Sequence, residues 1–129
     1  MNSKNLLIIF TRNPELGKVK TRLSKSTGDQ VALDIYKFLL NKTNQVTEQV
    51  TSDKIVYYSE KITKHDIWSS NSYKKEVQYG DDLGAKMKNS FQAAFKNKYH
   101  KVLLIGSDLY DLEPCHIYEA FKKLDKNDV

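Results

Sequence analysis

Four cations, Arg12, Lys18, Lys20 and Arg22, fall inside the stretch FTRNPELGKVKTRL from Phe10 to Leu23, directly behind the apolar run Leu6–Phe10. In an extended loop Lys18, Lys20 and Arg22 alternate onto one side, as cations that neutralise a diphosphate must. A solvated basic loop is the bland alternative, and the position straight after a buried first strand weighs against it. The stretch is no P-loop, because Val19 stands where that motif needs Ser or Thr and the first glycine is absent. With one glycine it is no dinucleotide fingerprint either. The complementary chemistry lies far along the chain, where Val102–Ile105 is followed by Gly106, Ser107 and Asp108. A carboxylate at the end of a buried strand, after two small residues, suits a hard divalent cation. Asp111 and Glu113 are either outer ligands or caps for a helix that opens near Pro114. Of Asp81 and Asp82, one is expected to cap a helix and the other to reach a ribose hydroxyl, the role assigned to Asp82.

The net charge is +5, and residues 1–30 account for +4 of it. One basic spot of this kind disfavours nucleic-acid binding, which needs a stripe or face. His65, His100 and His116 lack ligand spacing, Ser107 lacks a G-x-S-x-G context, and the eight tyrosines do not form a stacking platform. A lone cysteine, Cys115, makes neither an internal disulfide nor a cysteine-rich metal site and agrees with a reducing compartment. No window reaches the roughly 18 apolar residues of a membrane span, and no secretory signal opens the chain, so a cytoplasmic protein is expected.

The elements that must position these residues follow from periodicity. Val31, Ile35, Phe38, Leu39 and Val46 recur at helical spacing in a segment expected to start at Ser26 or Thr27 and fade near Val50. Ile55–Tyr58 reads as a second strand and Glu76–Tyr79 as a third. A short helix around His65–Trp68 is expected in an otherwise polar loop. Gly80-Asp81-Asp82 supplies a turn and cap for a helix with Leu83, Met87, Phe91, Ala94 and Phe95 on one face. Val102–Ile105 has the unbroken apolar character of a strand buried in a parallel sheet, and Pro114 opens a last helix with Ile117, Phe121 and Leu124 inward. Strands alternating with helices predict an α/β, three-layer, Rossmann-like parallel sheet of order 3-2-1-4 in a single domain over 1–129. In that order the loops after the first and fourth strands open side by side at the switch point, bringing the basic loop opposite Asp108.

The motifs F-T-R-N-P-x-x-G-K-V-K-T-R-L, Q-Y-G-D-D-L-G-A-K-M and V-L-L-I-G-S-D span residues 10 to 108. In this order they resemble a bacterial glycosyltransferase-like family of the nucleotide-diphospho-sugar transferase superfamily, related to the phospholactate and molybdenum-cofactor guanylyltransferases. The resemblance implies a glycosyltransferase-A-type fold. It gives Thr11, Arg12, Lys20 and Arg22 the nucleotide-binding role, and it gives Asp108 a divalent metal, Mg²⁺ or Mn²⁺. Two departures stand out. Tyr110 replaces the family's usual proline after the G-S-D aspartate, and the family continues past the equivalent of Val129 with a further strand and a D-G-G segment. The chain is therefore expected to be the N-terminal, nucleotide-binding half of the fold, truncated relative to the family.

The sequence leaves two functions open. The first is a metal-dependent glycosyl or nucleotidyl transferase that binds a nucleoside diphosphate sugar or a nucleoside triphosphate, with an unknown acceptor and catalytic base. The second is a non-catalytic nucleotide- or partner-binding half-domain that forms homo-oligomers through exposed sheet edge.

Overall fold

The computed structural model describes residues 5–13, 25, 27–107 and 111–124. Four strands, β1 (Asn5–Thr11), β2 (Asp53–Tyr58), β3 (Lys74–Val77) and β4 (Lys101–Gly106), form one sheet in the order β3-β2-β1-β4. Every pairing is parallel: Ile8 stands opposite Ile55 on one side and Leu104 on the other. Three helices accompany them, α1 (Asp29–Glu48), α2 (Leu83–Lys96) and α3 (Pro114–Leu124). The α/β class and the 3-2-1-4 order expected from the sequence are thus observed.

Alternation along β1 explains the layers. Leu7 and Ile9 face a cluster with Leu33, Tyr36 and Leu40 of α1, Val56 and Tyr58 of β2, and Ile117 and Phe121 of α3. Leu6, Ile8 and Phe10 face the opposite cluster with Ala94 of α2, Ile55 and Val102. Both sets of β1 side chains are buried, which is why this strand is an apolar run rather than an alternating one. The first connection, β1 to β2, moves along the sheet in one direction, and the α2 connection from β3 to β4 moves back past β1. Right-handed crossovers therefore put α1 and α2 on opposite faces.

Helix α1 departs from the expected stripe. Val31, Ile35 and Phe38 are exposed, and the inward face is Ala32, Leu33, Tyr36, Leu39, Leu40, Thr43, Val46 and Thr47. The threonines can be buried because each hydroxyl is satisfied within the helix: Thr43 Oγ1 donates to Leu39 O and Thr47 Oγ1 to Thr43 O, each at 3.0 Å. The helix is entered through Gly28 at φ 94°, a left-handed conformation open to glycine. It starts at Asp29, three residues beyond the earlier of the two expected starting positions. Its last turn is closed by the buried Lys54, whose Nζ donates to Thr47 O and Val50 O at 3.0 Å.

Two other expectations shift. β3 lies two residues earlier than Glu76–Tyr79, and residues 65–68 form bends rather than a short helix. The turn into α2 is as expected, and Gly80 is required there. A Cβ at that position would lie 2.7 Å from Lys86 N and 2.8 Å from the carbonyl carbon of Ala85, inside the first turn of α2. None of the helices in the described residues is long and apolar enough to cross a membrane.

Candidate functional site

The carboxyl ends of β1 and β4 lie side by side, since Phe10 pairs with Gly106. Tyr36, reaching up from α1, joins them. Its hydroxyl donates to Arg12 O at 2.9 Å and accepts from Arg12 N at 2.9 Å. It also lies 3.3 Å from Ser107 Oγ and 3.5 Å from Thr11 Oγ1. With the phenol proton given to the Arg12 carbonyl, Ser107 is the donor in its pair. One buried side chain thus sets the backbone at the mouth of the basic loop and the residue that immediately precedes Asp108. The phenol is 4% exposed, in surroundings of low dielectric where such bonds are strong and their loss costly.

The end of β2 is tied to the same corner by Asn13. Its Oδ1 accepts from Glu60 N at 3.1 Å, Lys61 N at 3.3 Å and Ser59 Oγ at 3.4 Å, while Nδ2 donates to Lys61 O at 3.0 Å. Asn13 N donates to Ser59 Oγ at 3.2 Å. From β3's end, Gln78 Nε2 donates to Thr11 O at 3.2 Å and Tyr57 O at 3.0 Å. All four strand ends are therefore cross-braced around Thr11, Arg12 and Asn13. Such bracing leaves Thr11 and Asn13 buried and the Arg12 side chain exposed, as a rigid base with a projecting cation would be.

The residues expected at the site separate into two groups. Thr11 and Arg12 stand at the braced corner. Asp82 caps α2, its Oδ1 accepting from Ala85 N at 2.7 Å, and its exposed carboxylate follows the β3 end. Lys20, Arg22 and Asp108, with Lys18, lie outside the described residues. Glu113 is exposed at the start of α3, with its backbone N donating to His116 Nδ1 at 3.1 Å. Glu113, Cys115 and His116 are the one group of three metal-capable side chains among the described residues, with donor atoms within 4.8 Å of one another.

Sequence reasoning missed Tyr36, Asn13 and Gln78. Tyr36 belongs to a second helical series, Ala32, Leu33, Tyr36 and Leu40, which is as regular as the stripe of larger residues but is hidden by an aromatic that carries a hydroxyl. Asn13 sits in the very motif that was singled out for its cations, and an asparagine two residues past a strand signals a turn clamp.

Residues 41–129 match the model of a family described as an uncharacterized protein conserved in bacteria, DUF2064. No curated protein matches. Among solved structures, the chain is similar to a protein from Desulfovibrio desulfuricans G20 provisionally described as a nucleotide-diphospho-sugar transferase, with 28% identity and a TM-score of 0.84. The alignment covers 95% of this chain and 55% of that one, so this chain spans about half the length of its structural relative. Because the family model covers residues 41–129, more than half of the chain, this chain belongs to the DUF2064 family.

Proposed function

We propose that the chain is the nucleotide-binding part of a metal-dependent transferase, glycosyl or nucleotidyl, that takes a nucleoside diphosphate sugar or a nucleoside triphosphate. The observation that carries this reading is the Tyr36 hydroxyl, which bridges the β1 end at Arg12 to the β4 end at Ser107. Arg12, Lys20 and Arg22 neutralise the phosphates from one wall, with Thr11 completing the floor. Asp108, next after Ser107, would hold Mg²⁺ or Mn²⁺, whose charge offsets that of the diphosphate. Asp82 hydrogen-bonds a ribose hydroxyl through the carboxylate oxygen that does not cap α2. The likeness to a transferase-type structure supports the same class, and a lone exposed cysteine agrees with a cytoplasmic setting.

Calorimetry with UDP, GDP, CDP and dTDP sugars, with and without Mn²⁺, tests the reading. Binding that requires the metal and is lost in Asp108→Ala is the expected result. No binding of any of them at millimolar concentration would refute it.

A second reading rests on the open side of β4. Leu103, Leu104 and Ile105 are half-exposed there, and a groove beside them is lined by Phe91, Phe95 and Leu124. An apolar strand without proline or inward charge at a sheet edge is a template for pairing. In this reading the chain is a non-catalytic half-domain that pairs with a second copy. Size-exclusion chromatography decides it: a monomer at all concentrations removes this alternative.

A further inference from the structure

We infer that the crevice between α1 and the crossover from β2 to β3, which borders the corner at Thr11, Arg12 and Asn13, is a further ligand subsite, built for a phosphate monoester with a compact, flat, apolar body. Parallel strands are usually joined by a helix that packs on the sheet. Here residues 59–73 contain none, and the space beside α1 is left as a pocket of about 410 Å³. That volume lies within the range of small-molecule sites.

The pocket has an apolar body and a cationic rim. Leu40, Tyr58 and Trp68 line its interior, while Arg12, Lys37 and Lys61 contribute from three separate segments. The cations are exposed, and neither Lys37 nor Lys61 has an ion-pair partner among the described residues. Asp66 is the carboxylate among the lining residues, and its capacity is already taken. Its Oδ1 accepts from Lys75 Nζ and Trp68 N, both at 3.0 Å, and its Oδ2 from the Tyr58 hydroxyl. Lys75, with a side chain 7% exposed, matches that charge, so the rim remains net positive. A dianionic phosphate suits the charges of Lys37 and Lys61 better than a single carboxylate does.

The walls are fixed although the crossover is irregular. Lys75 Nζ also donates to Thr63 O at 2.7 Å and Lys64 O at 3.2 Å. Asn44 Nδ2 ties Ile67 O to α1 at 3.0 Å, and Trp68 meets Tyr73 edge to face at 5.2 Å. Lys61 is held at the rim by the Asn13 clamp through its own N–H and carbonyl. A ligand would therefore meet preformed walls, with little ordering left to cost it affinity.

Trp68 is the chain's single tryptophan, so its emission reports occupancy directly. Phenyl phosphate is the probe, with phenol, inorganic phosphate and benzoate as separate titrations. A saturable change with phenyl phosphate is expected, with each of the other three binding at least about tenfold more weakly. Lys37→Glu and Lys61→Glu, both at exposed positions, should each weaken it by about five- to tenfold with an unchanged melting temperature. Lys88→Ala, on α2 at the opposite face of the sheet, should leave it unaltered. The proposal is overturned by the absence of a saturable response, by phenol or benzoate binding as tightly as phenyl phosphate, or by a response that ignores Lys37 and Lys61. Arg12 borders both sites, so the other residues tell them apart: loss in Asp108→Ala reports nucleotide binding, and loss in Lys37→Glu and Lys61→Glu reports the crevice.

Discussion

The face that carries α1 and α3 buries thirteen described residues in one cluster, whereas the α2 face buries six, all but two of them from β1 and β2. The first is closed by Tyr36, Tyr58, Trp68 and Tyr73, each with a relative exposure of 4% or less. On the second, Phe95 and Leu83 of the helix itself remain exposed, and Met87 and Phe91 are only half-buried. A deep layer can hold a phenol whose hydroxyl points up into the strand ends, because the ring below it is packed on all sides and the oxygen above it is fully bonded. A thin layer cannot. The braced corner at Thr11–Asn13 and the pocket by Trp68 both lie on the deep side for this reason.

Substitution can break that contrast. Trp68→Ala removes the largest fully buried side chain and should cost about 3–5 kcal/mol in chemical denaturation. Phe95→Ser on the other face should stay within about 0.5 kcal/mol. Equal losses at the two positions would mean that the faces are not unequal.

Tyr36→Phe keeps the ring and deletes the hydroxyl, leaving Arg12 N and O without that partner. A loss of about 1–3 kcal/mol is expected. Nucleotide affinity should fall beyond what the lower stability explains, when measured well below the melting temperature. Undiminished affinity would reduce Tyr36 to a core residue.

Asp82 sharpens the question on the α2 side, where cap and ligand roles overlap. Asp82→Ala should cost about 1 kcal/mol of stability, and Asp82→Asn only a few tenths, since asparagine caps equally well. A fall in nucleotide affinity in the asparagine variant would then belong to the lost charge, and an unchanged affinity would leave Asp82 as a cap alone.

Alkaline titration separates the faces by cause. On the deep face, burial pushes the Tyr73 phenol up to about 12. On the thin face, Tyr99 also reaches about 12, chiefly through the hydrogen bond that it donates to Asp53 at 2.6 Å. A phenol raised above its unfolded value of about 10 contributes stability that is complete below pH 10 and is lost as the pH rises through 12. Stability should therefore decline from about pH 10 upward. Asp53→Asn should flatten the Tyr99 part of that decline and leave the Tyr73 part intact, as spectrophotometric titration of the phenols can read.

The chain by itself determined the strands, their parallel order and the turn that opens α2, while leaving open which of Asp81 and Asp82 caps it, a role that falls to Asp82. An unbroken apolar run such as Leu6–Phe10 fits only a strand covered on both faces, and the alternation of strands with helices leaves few topologies. It also marked Thr11 and Arg12, because polar residues after such a strand must sit at the switch point. Tertiary structure alone decided which face of α1 turns inward. Val31, Ile35 and Phe38 are the more hydrophobic set, but Tyr36, Thr43 and Thr47 find partners for their hydroxyls at the strand ends, in the helix backbone and at Tyr73, so their burial costs little. The sequence pattern prices those hydroxyls as exposed polar groups. Only the assembled fold shows that they are bonded, and with them the corner that holds Arg12 beside the β4 end.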